Sequence, residues 1–141
     1  MCRVRFFAAN RLNLIGGDPV RTLRGKRALV TGAAGGIGRA IALALAREGT
    51  ELFLVDIDEP RVRESAREAA ACGARVHFEI CDVSSSDEIS RCIAGCIGMF
   101  HGLDILVNSA GVLRYGIHYE LDADSWKTVM SVNLLAPMQF V

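Results

Sequence analysis

The stretch Ala28-Leu29-Val30-Thr31-Gly32-Ala33-Ala34-Gly35-Gly36-Ile37-Gly38 decides the fold, because it passes from an apolar run through a glycine-rich turn into the alanine-rich pattern Arg39 to Glu48. Strand, turn and helix start in that order bring backbone N–H groups and the positive end of a helix to one place, where a pyrophosphate can sit. The glycines have separate expected jobs. Gly32 lets the chain leave the strand in a tight turn, Gly36 lets the backbone approach phosphates without a Cβ, and Gly38 lets the helix pack closely on the strand. Gly32, Gly36, Ile37 and Gly38 are therefore expected at a dinucleotide site.

Working outward, Ile37, Ile41, Ala44 and Leu45 share one face at helical spacing, with Arg39 and Arg47 expected in solvent. Glu51-Leu52-Phe53-Leu54-Val55-Asp56 reads as a second strand that ends in an acid. Asp56 lies 20 residues after Gly36 (56 − 36), near the ~20-residue offset at which a carboxylate meets the adenosine ribose in such folds. The carboxylate favours NAD. It would repel the 2′-phosphate of NADP, and no basic residue follows directly, since Ile57, Asp58 and Glu59 come next.

A chain of 141 residues with 51% hydrophobic content can bury one core of ordinary domain size. The expected division is an irregular N-terminal extension over 1–24 and one dinucleotide-binding unit over 25–141. Formal net charge is zero, but Met1 to Lys26 holds six basic residues and one acid, leaving ten and fifteen of the sixteen of each for the remainder. The folded part thus has no excess of positive charge, and no nucleic-acid partner is expected. Arg3, Arg5 and Arg11 with no acid before Asp18 are transit-peptide features, but residues 1–24 contain no serine, and a disordered leader is the expectation. Its apolar patches fall short of the ~20 consecutive residues of a membrane span. Cys2, Cys72, Cys81, Cys92 and Cys96 are an odd set without paired metal-ligand spacing. Cys92 and Cys96, one helical turn apart, read as reduced core residues, so no metal and a cytoplasmic setting are expected.

Asp58-Glu59-Pro60 is a cap followed by a proline suited to a first helical turn, and that helix should end near Cys72 at Gly73. Ala74 to Ile80 alternates in polarity, which predicts an edge strand with His77 on its solvated side. Asp82, just beyond it, is placed where an adenine amino group could donate to it. Ser84, Ser85 and Ser86 offer caps to a helix carrying Ile89, Cys92, Ile93, Cys96, Ile97 and Phe100, which Gly102 should break. Leu103-Asp104-Ile105-Leu106-Val107 is nearly all apolar, as in a parallel strand covered on both faces.

Asn108-Ser109-Ala110-Gly111 follows that strand. Taken with Thr31-Gly-x-x-x-Gly36-x-Gly38, Asp56, Asp82-Val83 and Asn133 in Ser131-Val132-Asn133-Leu134, it gives a conjunction that resembles the short-chain dehydrogenase/reductase family over roughly Lys26 to Val141. The resemblance implies a Rossmann-type α/β fold, a doubly wound parallel sheet that is incomplete here, with the order 3-2-1-4. It also implies NAD or NADP at the strand carboxyl ends and hydride transfer between a small-molecule alcohol and a ketone, in an enzyme that forms a homo-oligomer. By the same resemblance Asp56 would hold the ribose and Asp82 and Val83 the adenine. Asn108, Ala110 and Gly111 would line the nicotinamide side, and Asn133 would match the catalytic asparagine.

The last region also reads physically. Asp122 or Asp124 can cap a helix carrying Trp126, Val129, Met130, Val132 and Asn133. Pro137 has no N–H to donate to the carbonyl of Asn133, four residues back. This either frees that carbonyl, which in the family holds a water of the proton relay, or simply kinks or ends the helix. The family's Tyr-x-x-x-Lys pair does not occur in these residues. Tyr115 and Tyr119 are followed four positions on by Tyr119 and Ala123, and the lysines are Lys26 and Lys127. The expectation is the cofactor-binding half of a longer enzyme, inactive by itself. A non-catalytic dinucleotide-binding or scaffold protein is the alternative, and a methyltransferase fits the glycine spacing poorly.

Overall fold

Apolar strands and amphipathic helices alternate along the chain, and the computed structural model, which describes residues 22–114 and 122–141, folds them as repeated β-α units. β1 (Arg27–Thr31), β2 (Glu51–Asp56), β3 (Val76–Ile80) and β4 (Ile105–Asn108) form a four-stranded sheet in the order β3-β2-β1-β4, with every pairing parallel. This is the predicted order. Thr31 stands level with both Val55 and Asn108, so the carboxyl ends of β1, β2 and β4 finish together.

Alternation along each strand feeds two cores. Ala28, Val30, Leu52 and Leu54 pack against α1 (Gly36–Arg47) and α2 (Glu59–Ala71). Leu29, Phe53 and Val55 pack on the other face against α3 (Ser86–Phe100) and against Val132, Ala136 and Phe140 of the last helical segment. Cys92 and Cys96 are buried free thiols in this second core, as their spacing predicted. Asp58 caps α2 by accepting the Arg61 N–H at 3.1 Å, and Ser85 caps α3 through the Glu88 N–H at 3.4 Å.

Several expectations need correction. In α1 the buried face is Gly38, Ala42 and Ala46, whereas Ile37 is 75% exposed and Ala44 is also exposed. The helix lies so close to β1 that a Cβ at Gly38 would overlap the Gly32 carbonyl, so only small side chains fit the contact and the larger aliphatics sit to its sides. Arg39 is not free in solvent but pairs with Glu68 of α2. His77 is half-buried, its ring 5.0 Å from that of Phe53, because α3 covers the side of β3 that alternation marked as polar. α3 ends before Gly102: His101 takes the left-handed conformation at φ 57° and closes the helix with its N–H on the Ile97 carbonyl. Ile105, Leu106 and Val107 of β4 are only half-buried, since among the described residues β4 has a neighbour on one edge alone.

The final segment runs as α4 (Ala123–Met130), a wide π-type turn over Ser131–Leu135, and α5 (Ala136–Gln139). In the wide turn the Ala136 N–H reaches back five residues to the Ser131 carbonyl. Pro137 therefore does not end the helix; a widened turn precedes it and the helix continues. Asp122 caps α4 by accepting the Ser125 N–H at 2.6 Å. Most of the N-terminal extension (residues 1–21), together with Tyr115, His118 and Tyr119, lies outside the described residues. Leu23 is tied to the base of the sheet, its carbonyl accepting from the Lys26 N–H at 3.0 Å and from the Thr50 hydroxyl at 3.3 Å.

Candidate functional site

At the carboxyl ends of the strands, β1 leaves the sheet through Gly32 at φ +67°. A Cβ there would come within 2.7 Å of the Ala110 nitrogen, so the turn lies directly on the segment that follows β4. Thr31 locks this contact. Its buried hydroxyl oxygen accepts the N–H groups of Ser109 and Ala110, each at 3.1 Å. The loops after β1 and β4 thereby become one rigid floor.

Around the other side of the turn, Gly36 has φ +52°, and a Cβ at Gly35 or Gly36 would meet nothing within 4 Å. Gly35 caps α1 without any side-chain hydrogen bond, and no acid stands in the helix's first turn. The first amides of α1 thus have no side-chain acceptor to satisfy them, which suits a bound anion.

Asp56, at the end of β2, is held in a fixed orientation. Its Oδ2 accepts the Ala34 N–H at 2.9 Å and its Oδ1 accepts the Asp58 N–H at 3.0 Å. Each carboxylate oxygen keeps a further acceptor site. Between these groups lies a cleft of about 380 Å³ lined by Gly32, Gly35, Asp56, Asp82, Val83, Ala110 and Gly111, with Ile57, Asp58, Arg61 and Cys81 also in its wall. A glycine cradle with open amides and a fixed carboxylate in one cleft match the phosphate and ribose ends of a dinucleotide, so the residues present fit that group.

The remaining predicted residues fall as follows. Asp82 has one carboxylate oxygen engaged by the Ser84 N–H at 2.8 Å, while its own N–H donates to Glu88 at 2.8 Å. Gly36 and Ile37 are exposed where the turn becomes α1, and Gly38 is buried behind it. Asn108 is exposed at the end of β4, outside the cleft wall. Asn133 also stands outside the wall, but its side chain clamps the backbone of Val112, which lines the cleft: Oδ1 accepts the Val112 N–H and Nδ2 donates to the Val112 carbonyl, both at 2.9 Å. Among the described residues no His, Cys, Asp and Glu grouping suits a metal ion. The Cys81 thiol is held below its ordinary value by hydrogen bonding with Cys92, and burial pushes the Cys96 thiol up to about 11.

Four groups escaped the sequence reading. The Thr31 hydroxyl was visible only as part of the motif. The Ala34 amide carries no sequence signal, and Arg61 enters the cleft only because α2 turns back toward it. The Asn133 amide side chain was overlooked in favour of its carbonyl.

A family model described as short chain dehydrogenase matches residues 26–141. A short chain dehydrogenase/reductase of Gibberella zeae is 34% identical over 118 residues, which is 83% of this chain and 43% of that protein. The chain thus spans less than half the length of this curated relative. Among solved structures, a short chain dehydrogenase/reductase from Burkholderia phymatum in complex with NAD superposes with a TM-score of 0.82 at 32% identity, over 86% of this chain and 43% of its own. A metagenomic short-chain oxidoreductase in complex with NADP gives 0.81 at 36% identity, over 84% and 54%.

Proposed function

The chain belongs to the short chain dehydrogenase family, and from that premise we propose that residues 25–141 are the nicotinamide-dinucleotide half of an oxidoreductase acting between small-molecule alcohols and ketones. One observation carries the reading: Gly35, which caps α1 with no side-chain acceptor on the helix's first amides, and the fixed Asp56 carboxylate line one cleft. When bound, the dinucleotide supplies the hydride acceptor or donor. The amides from Gly35 to Gly38 would hold its pyrophosphate, Asp56 its adenosine ribose, Asp82 and Val83 its adenine, and Asn108, Ala110 and Gly111 its nicotinamide side. Asn133 would keep Val112 in place and offer its carbonyl, to which Pro137 cannot donate, to the proton relay.

NAD is the preferred cofactor in this reading, because an ionised Asp56 accepts ribose hydroxyls and repels a 2′-phosphate. Residues 1–141 bind it without turnover, since neither tyrosine has a lysine four positions on to lower its pKa. The intact enzyme would be a cytoplasmic homo-oligomer. Among the described residues no helix is long and apolar enough to cross a membrane. The test is to titrate NADH and NADPH into the chain and assay NADH formation against a panel of secondary alcohols. Tighter NADPH binding would overturn the choice of NAD, turnover would overturn the inactivity, and binding of neither would overturn the site.

A further inference from the structure

Ser85-Ser86-Asp87-Glu88 has the Ser-x-x-Glu spacing of a capping box, in which the serine accepts the glutamate N–H and the glutamate reaches back to the serine N–H. Here only the first half forms. Ser85 accepts the Glu88 N–H at 3.4 Å, but the Ser85 N–H is already on the Asp82 carbonyl at 3.0 Å. The Glu88 carboxylate reaches past it and accepts the Asp82 N–H instead, at 2.8 Å. The first turn of α3 is thereby tied to a residue of the cleft wall, although Glu88 itself stands outside that wall.

This bond decides how Asp82 is held. The Cys81 N–H still bonds to β2, on the Asp56 carbonyl at 3.0 Å, but beyond Cys81 the chain has left the sheet and the Asp82 amide has Glu88 as its acceptor. Asp82 Oδ1 accepts the Ser84 N–H at 2.8 Å, and its Oδ2 has no donor among the described residues. That oxygen suits the amino group of an adenine, which can only donate. Arg91 lies 3.8 Å from the same Glu88 oxygen, but its side chain is 71% exposed and adds little hold. We propose that Glu88 is a positioning residue for the adenine end of the cleft, setting through the Asp82 amide the direction in which the Asp82 carboxylate meets the base. The inference rests on the dinucleotide reading above and adds to it a residue that lines no part of the cleft. Glu88 acts here as an acceptor and not as a charge, so glutamine can replace it and alanine cannot.

The experiment titrates NADH and its reduced hypoxanthine analogue, in which a carbonyl oxygen replaces the adenine amino group, into the 141-residue chain, followed by their own fluorescence. The two nucleotides are identical outside the base, so a variant that merely folds less well loses both alike and leaves their ratio unchanged. The wild-type chain should prefer NADH by roughly tenfold, the scale of one charge-assisted hydrogen bond. Asp82→Ala gives the ratio without the carboxylate, and Glu88→Ala should move the wild-type ratio most of the way to it, to about threefold or less. Glu88→Gln, which keeps an oxygen for the Asp82 amide, should retain most of the preference. Should Glu88→Ala fail to fold, Glu88→Asp, shorter by one methylene, makes the same comparison. In a chain that binds NADH, three results overturn this inference alone: a preference untouched by loss of the acceptor, one that falls as far with glutamine as with alanine, or a wild-type ratio equal to that of Asp82→Ala. A wild-type chain that binds neither nucleotide overturns the dinucleotide reading as well.

Discussion

At the scale of single residues, Thr31 shows how one hydroxyl can organise a site. A valine in its place would match its shape but would leave the Ser109 and Ala110 amides without their acceptor. An orphaned amide costs about 1–3 kcal/mol, and both residues are only half-buried, so water can replace part of the loss. Thr31→Val should therefore destabilise the chain by about 1–3 kcal/mol in urea unfolding, and an unchanged midpoint would contradict the role. Asp56→Ala should shrink the preference for NADH over NADPH, since it removes ribose hydrogen bonds of about 1.5–3 kcal/mol each together with the repulsion; equal ratios before and after would contradict it. Asp56 was legible because its offset from the glycines follows from one β-α-β unit. Arg61 was not, because its approach depends on the angle at which α2 returns.

At the scale of elements, β1 and β4 are joined at their starts by Arg27 and Asp104. The Arg27 backbone N–H and Nε donate to one Asp104 oxygen at 3.0 and 2.7 Å, while the Asp104 N–H donates to the Arg27 carbonyl at 2.9 Å. The Arg27 guanidinium holds the Asp104 carboxyl below its ordinary value. A carboxyl depressed on folding contributes stability that is complete above its unfolded value of about 4 and is lost as pH falls through its lower folded value. Asp104→Asn should cost about 1–2 kcal/mol near neutrality, discounted because part of each side chain stays in water, and should flatten the acid limb of stability against pH. An acid limb identical to wild type would refute this. The elements themselves were legible from period and caps. Which face of α1 is buried was not, because the close approach at Gly38 excludes the large side chains that periodicity places there.

At the scale of the whole molecule, the family motifs make the strand order readable in advance but give no account of what borders β4. Its outer edge has no neighbour among the described residues. Trp126, Met130, Leu134, Leu135 and Met138 are exposed on the last helical segment. An unpaired strand edge beside exposed apolar residues is a template for association. Expressed alone, residues 1–141 should sediment as oligomers or aggregates. A monodisperse monomer would refute that expectation.

The wide turn at Ser131–Leu135 has a genetic consequence. A π-type turn accommodates one residue more than an α-turn, so it behaves as an insertion that the helix has absorbed locally. Deleting Leu134, which is 46% exposed, should remove the extra residue and keep Ala136 and Phe140 in the core and Asn133 on Val112, at the cost of a kink where the Pro137 ring then meets the Val132 carbonyl. Deleting Thr128 instead rotates one part of the helix against the other by about 100° and takes one set of contacts away. Both deletions should lower the unfolding midpoint, the first by the cost of the proline kink, about 3 kcal/mol or less, and the second by more, since it also loses core contacts. The reading frame of this helix therefore has one position at which a codon can be lost while every core contact keeps its place.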